Sequence, residues 1–87
     1  MNNFTAHQQQ EIRTTAVRLS QIANHPAYPF LLKTYNEIID QYELLKEFNL
    51  SADVMRPEVF WIQKSYMINM LTALNLRIDA ILRESSF

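Results

Sequence analysis

Glycine is absent from the 87 residues of this chain. Glycine serves tight turns, left-handed helix caps and the phosphate-cradling loops of nucleotide-binding proteins. Its absence excludes the glycine-rich nucleotide-binding motifs and the Asn-Gly type of β-hairpin. A chain of this composition is best suited to long helices that are joined by a few loops.

Cysteine is absent as well, which excludes disulfides, a thiolate nucleophile and cysteine-ligated zinc. No apolar run approaches the roughly 18–20 residues that a membrane-spanning helix needs, and the first residues lack the apolar core of a signal peptide. We therefore expect a cytoplasmic protein that has no membrane partner.

The charge is nearly balanced, with 8 basic and 9 acidic residues and a formal net charge of −1. General nucleic-acid binders usually carry a basic excess, so this balance argues against nucleic acid as a partner. Hydrophobic residues make up 48% of the chain, which is enough for a core. The length fits one helical domain over residues 1–87.

Amphipathic segments separated by two proline-marked loops predict three helices. We expect them over about residues 6–24, 29–48 and 57–84. Thr5 is the predicted N-cap of helix 1, with Gln8 at the capping-box spacing. Pro29 and Pro57 suit the first turns of helices 2 and 3. In the loop over residues 49–56, Ser51 and Asp53 are candidate caps of a short turn.

Each predicted helix has an apolar seam, and the three seams predict an all-α, antiparallel, up-down-up three-helix bundle. The seam residues are Ile12, Ala16, Leu19, Ile22 and Ala23 in helix 1, Leu31, Tyr35, Ile38, Tyr42 and Leu45 in helix 2, and Phe60, Met67, Leu71, Leu74, Ile78 and Ile81 in helix 3. The apolar arc of helix 3 is wider still, through Ile62, Tyr66, Met70, Ala73 and Ala80.

Helix 3 also carries Trp61, Ile68 and Leu76 outside that arc. Either helix 3 is central in the bundle, or its extra apolar face packs against another chain. We therefore expect that the protein can form a homodimer through helix 3. The three residues are also candidate protein-binding residues, because tryptophan is enriched at binding hot spots. The alternative is that Trp61 simply covers the loop over residues 49–56 or the end of helix 1.

The polar side of helix 2 is acidic and presents Asp40, Glu43 and Glu47 on one stripe. These residues are candidates for contact with a basic partner surface, including one that normally holds nucleic acid. The alternative interpretation is an ordinary solvated face. The corner over residues 26–30 is a further candidate, if Tyr28 and Phe30 are partly exposed there, and its alternative is a bundle end filled by aromatic side chains.

Catalytic groups are not recognisable in this sequence. The two histidines, His7 and His25, lie near opposite ends of helix 1, roughly 27 Å apart in a regular helix, and cannot share a metal ion. No inward Glu-x-x-His motif of a di-iron bundle occurs, and no nucleophile elbow forms without glycine. We therefore predict that the protein is not an enzyme and that it has no cofactor and no metal site.

These observations predict a small non-enzymatic protein that binds another protein and acts by surface occlusion. Two alternatives stay open. Small, single-domain chains without motifs are typical of inhibitors that phages and mobile elements direct against host defence, such as anti-CRISPR proteins. The other alternative is a helical DNA-binding regulator or antitoxin, in which Lys64, Arg77 and Arg83 would contact phosphates.

Overall fold

The structure is a computed structural model that describes the backbone of residues 3–50 and 57–84 and the side chains of residues 6–47 and 58–84. It contains three helices: α1 (Asn3–Ser20), α2 (Tyr28–Leu50) and α3 (Pro57–Glu84). All three pairs of helices are in contact, and no strand occurs in the described part. The predicted all-α three-helix bundle is confirmed.

The bounds of α3 are those predicted, with Pro57 in the first turn followed by Glu58 near the positive end of the helix dipole. The bounds of α1 differ, because this helix begins at Asn3 and ends at Ser20. Thr5 therefore lies inside the helix, and the prediction that it caps the N-terminus is wrong. The candidate caps Ser51 and Asp53 lie outside the described residues.

Tight turns replace the predicted last turn of α1. The N–H of Ile22 donates to the carbonyl of Leu19 at 3.1 Å, and the N–H of His25 donates to that of Ile22 at 3.0 Å. These bonds span three residues, as in a 3₁₀ helix, which winds more tightly than an α-helix. Pro26 has no N–H to continue the series. The corner over residues 21–27 is therefore compact and leads directly into α2.

The core is apolar and contains residues from all three helices. The buried hydrophobic residues are Ile12, Leu19, Ile22, Leu31, Ile38, Tyr42, Leu45, Met67, Leu71, Leu74, Ile78 and Ile81. Tyr35 and Phe60 are half-buried and pack against this cluster. Ala23 is exposed, because α1 ends before it and the turn rotates it away from the predicted stripe. The predicted seams of α2 and α3 thus form the core together with Ile12, Leu19 and Ile22 of the predicted seam of helix 1.

α3 is longer than α1, with 28 residues against 18. Contacts between Thr15 and Asn75 and between Arg18 and Asp79 show that the two helices run in the same direction. Thr15 is 12 residues from the start of α1 and Asn75 is 18 residues from the start of α3. The first turns of α3 therefore extend roughly 9 Å beyond the start of α1, and Trp61 lies in this extension.

Candidate protein-binding surface

Trp61 stands on the second turn of α3, where α1 no longer runs beside it. The side chain is 61% exposed, so it is not buried against α1. Residues 51–56 of the loop that Trp61 was alternatively expected to cover lie outside the described residues. The ammonium Nζ of Lys64, one turn further on, lies 4.6 Å from the centre of the indole ring. A cation over a tryptophan ring is attracted to its negative face. This contact restrains a large exposed side chain that a binding partner would otherwise have to immobilise.

Ile68 and Leu76 do not form one surface with each other. Ile68, seven residues after Trp61, lies on the same side of α3 and packs half-buried against the core. Leu76 is 59% exposed. Eight residues separate it from Ile68, which rotates it by about 80° around the helix at 3.6 residues per turn. Trp61 and Ile68 thus lie on the side of α3 that faces α1, and Leu76 lies on the side of α3 that faces the solvent.

Asp40, Glu43 and Glu47 are all exposed on the solvent side of α2. We call these three residues the acidic face. The Lys46 ammonium lies 3.8 Å from the Glu43 carboxylate, an exposed pair that contributes little stability. Because α2 and α3 are antiparallel and consecutive, Glu43 and Glu47 lie toward the same end of the bundle as Trp61, whereas Asp40 lies near the middle of α2.

A polar network between α1 and α3 is the feature that sequence reasoning missed. The Arg18 guanidinium donates to Oδ1 of Asn75 at 2.7 Å and forms an ion pair with the Asp79 carboxylate. The Asn75 amide donates to the Thr15 hydroxyl at 3.0 Å and to the Leu71 carbonyl at 2.9 Å. Arg18, Asn75 and Asp79 are partly buried, and Thr15 is buried. The network fixes how α1 sits against α3.

The network also bears on the DNA-binding alternative. Arg18 and Asn75 are among the few basic and amide side chains of α1 and α3 that such a function would use, and both are engaged between the helices. Arg77 and Arg83 remain exposed on α3. Two exposed arginines on one helix form a small phosphate footprint compared with the contacts that support nucleic-acid binding.

The histidines lie at separate places and have different neighbours. Nε2 of His7 lies 3.2 Å from the Glu11 carboxylate, one turn along α1. Nδ1 of His25 accepts a hydrogen bond from the Ala27 N–H at 3.0 Å, within the corner between α1 and α2. No group of three metal-binding side chains occurs among the described residues.

Phe30 and Ala80 line a groove of about 380 Å³ between the start of α2 and the end of α3. Phe30 is largely exposed, whereas Tyr28 is half-buried against the core. The corner is therefore only partly filled by aromatic side chains. Elsewhere on α2, burial raises the pKa of the Tyr35 phenol above its ordinary value.

Comparisons of the chain with protein-family models, with curated proteins and with solved structures found no match. Within the described residues, none of the three helices combines the length and the apolar character of a membrane span.

Proposed function

We propose that this protein binds another protein non-enzymatically, through Trp61 and the acidic face, and acts by covering the surface to which it binds. The observation that carries the proposal is the exposed indole of Trp61, held by Lys64 on an extension of α3. Buried tryptophans are common, but a restrained and exposed one is an anchor suited to a partner's pocket.

The acidic face defines the chemistry of the partner. The three exposed carboxylates, two of them toward the same end of the bundle as Trp61, favour a partner surface that is basic around an apolar pocket. Basic surfaces of this kind commonly hold nucleic acid. Occlusion of such a surface is the way in which the protein would act as an inhibitor, including an inhibitor of a host defence system.

The test begins with capture of partners from an extract of the cells in which the protein is made, followed by purification of the captured protein. Binding to the purified partner is then measured for Trp61→Ala and for Asp40→Lys. We expect each variant to weaken binding by tenfold or more, because one removes an anchor and the other reverses a charge at the contact.

Matched controls come from α1, on another side of the bundle. Val17→Ala removes an exposed apolar side chain, and Glu11→Lys reverses one exposed charge. Both are expected to bind like the unmodified protein. The proposal fails if no protein is captured, or if Trp61→Ala and Asp40→Lys fold normally and bind the purified partner with unchanged affinity.

A further inference from the structure

The face of α3 that points away from the bundle carries a second heptad repeat. Its a positions are Val59, Tyr66, Ala73 and Ala80. Its d positions are Ile62, Asn69, Leu76 and Arg83. All eight side chains are exposed, and six of the eight are hydrophobic. We call these eight positions the outward seam.

Exposure of such a repeat is unusual, because the solvent side of a surface helix is ordinarily polar. Ile62 is 66% exposed and Tyr66 is 57% exposed. Apolar a and d positions repeated over consecutive heptads are the pattern by which one helix packs along another, and six of these eight positions fit it. The core seam of α3 already packs against α1 and α2, so the outward seam is available to a helix outside this chain.

We propose that the outward seam binds a second copy of this chain, with the two α3 helices antiparallel. In an antiparallel pair, the a positions of one helix face the d positions of the other. The facing pairs are then Val59 with Arg83, Ile62 with Ala80, Tyr66 with Leu76, and Asn69 with Ala73. The two-fold axis passes at the level of residue 71, near the middle of Pro57–Glu84, so the helices overlap along almost their whole length.

Side-chain size supports this pairing. The bulky residues of the outward seam lie mostly in its first half, and the two alanines lie in its second half. Antiparallel packing therefore places Ile62 of the second copy over Ala80. Ala80 and the exposed Phe30 line the groove of about 380 Å³ between α2 and α3, which gives Ile62 of the second copy an apolar place to pack. A large side chain opposite a small one lets two facing helices pack without a gap between them.

Charge favours the same orientation. A parallel pair would place Arg83 against Arg83 in the seam and Asp79 beside Glu84 of the other helix, and both contacts are repulsive. In the antiparallel pair, the aliphatic stem of Arg83 covers Val59 of the second copy. Its guanidinium then lies near Glu58 of that copy, which is exposed in the first turn of α3. Symmetry provides this attraction twice.

The occupant is a second copy because the seam is complementary to itself. A two-fold dimer uses one surface twice, so each bulky position needs a matching small or apolar one within the same surface. Ile62 with Ala80 and Tyr66 with Leu76 meet that condition, and at the ends of the seam the aliphatic stem of Arg83 meets Val59.

Sedimentation of the full-length chain tests the association. We expect a monomer–dimer equilibrium at micromolar concentrations, and we expect Leu76→Glu to be monomeric with unchanged helicity by circular dichroism. Val17→Glu is the matched control, since Val17 is 60% exposed on α1, and it is expected to dimerise normally. A chain that stays monomeric at about 1 mM, or dimers that survive Leu76→Glu, would overturn the proposal.

Cysteine crosslinking tests the orientation in a chain that has no cysteine of its own. Thr72 flanks the two-fold axis, so Thr72→Cys is expected to form a disulfide dimer. Ile62→Cys alone is expected to stay uncrosslinked, because its two copies would be roughly 27 Å apart. Ile62→Cys mixed with Ala80→Cys is expected to crosslink. Efficient self-crosslinking of Ile62→Cys would indicate a parallel pair and would overturn the antiparallel assignment.

This inference does not rest on the proposed function. Trp61 lies on a different side of α3, so Trp61→Ala is expected to leave the dimer intact while it weakens binding to the partner protein. Loss of both by Trp61→Ala would show that the outward seam is not the dimer contact assigned here. If the chain does not dimerise but Trp61→Ala still weakens binding to the partner protein, the protein-binding proposal stands.

Discussion

α3 packs against the apolar core and against α1 through different kinds of contact. Toward the core it presents fully buried apolar side chains, among them Met67, Leu74 and Ile78. Toward α1 it also presents Asn75 and Asp79, which are hydrogen-bonded or ion-paired across the interface. Burial of apolar side chains stabilises the folded state but does not fix how two helices are oriented. A buried polar group that loses its hydrogen-bond partner, by contrast, lowers the stability of the fold, so it favours one arrangement of the helices. The core therefore holds the bundle together, and the polar network determines how α1 is placed.

Leu74→Ala tests the apolar half of this comparison and should have the largest effect. We expect a loss of about 2–5 kcal/mol in the free energy of unfolding, the range for a leucine truncated inside a core. Urea unfolding followed by circular dichroism measures it. A loss below about 1 kcal/mol would mean that the core repacks around the cavity and is looser than its burial indicates.

Asn75→Ala tests the polar half. It removes the side chain that joins Thr15 and Arg18 and leaves a buried hydroxyl without its donor. We expect a loss of about 1–3 kcal/mol, by the same urea measurement. Asn69→Ala is the matched control on the exposed side of α3 and should change the stability of the monomer by less than about 0.5 kcal/mol. If Asn75→Ala and Asn69→Ala lower the free energy of unfolding equally, the polar network contributes no more to stability than an exposed side chain does.

Gln8→Leu tests how a buried polar group without a hydrogen bond affects stability, in contrast to the hydrogen-bonded Asn75. Gln8 is only 4% exposed, and its side-chain carbonyl oxygen has no hydrogen-bond partner among the described residues. Replacement by leucine should raise the free energy of unfolding by about 1 kcal/mol, because an unpaired buried acceptor is removed. Gln9→Leu, at an exposed position beside it, should have almost no effect. Destabilisation by Gln8→Leu would show that the amide is paired in solution.

Asp79→Asn should have the smallest effect. It removes the charge that pairs with Arg18 while the Arg18–Asn75 hydrogen bond remains. Both charged side chains are partly exposed, so we expect a loss below about 1 kcal/mol. The difference from the unmodified protein should shrink in about 1 M salt, which screens exposed charges. A larger loss that is insensitive to salt would place this ion pair among the essential contacts.

Much of the fold follows from local sequence rules. Pro57 and Glu58 locate the start of α3, and the apolar spacing of α2 and α3 predicts which residues are buried. The end of α1 was predicted four residues too late, at Asn24 instead of Ser20. Pro26 predicts that the helix stops before it. The tight turns over residues 21–25, however, depend on where the chain reverses direction so that α2 can pack against α1.

The polar network and the exposure of Trp61 could not be predicted in the same way. Whether Thr15 faces Asn75 depends on the rotation and height of α1 against α3, and these follow from the packing of all three helices. The exposure of Trp61 depends on the difference in length between two helices and on their relative height. Helical periodicity places Trp61 outside the core seam, but it does not say whether a neighbour reaches that far.

The position of α3 has a consequence for how this protein can change over evolutionary time. Met67 and Ile78 accept only apolar residues of similar volume, and Asn75 accepts few others because it satisfies two helices at once. The solvent side of α1, with Arg13 and Val17, is under neither restriction. Substitutions should therefore accumulate faster on the solvent side of α1 than at the core and network positions of α3, and a new specificity would arise most easily at such outer surfaces.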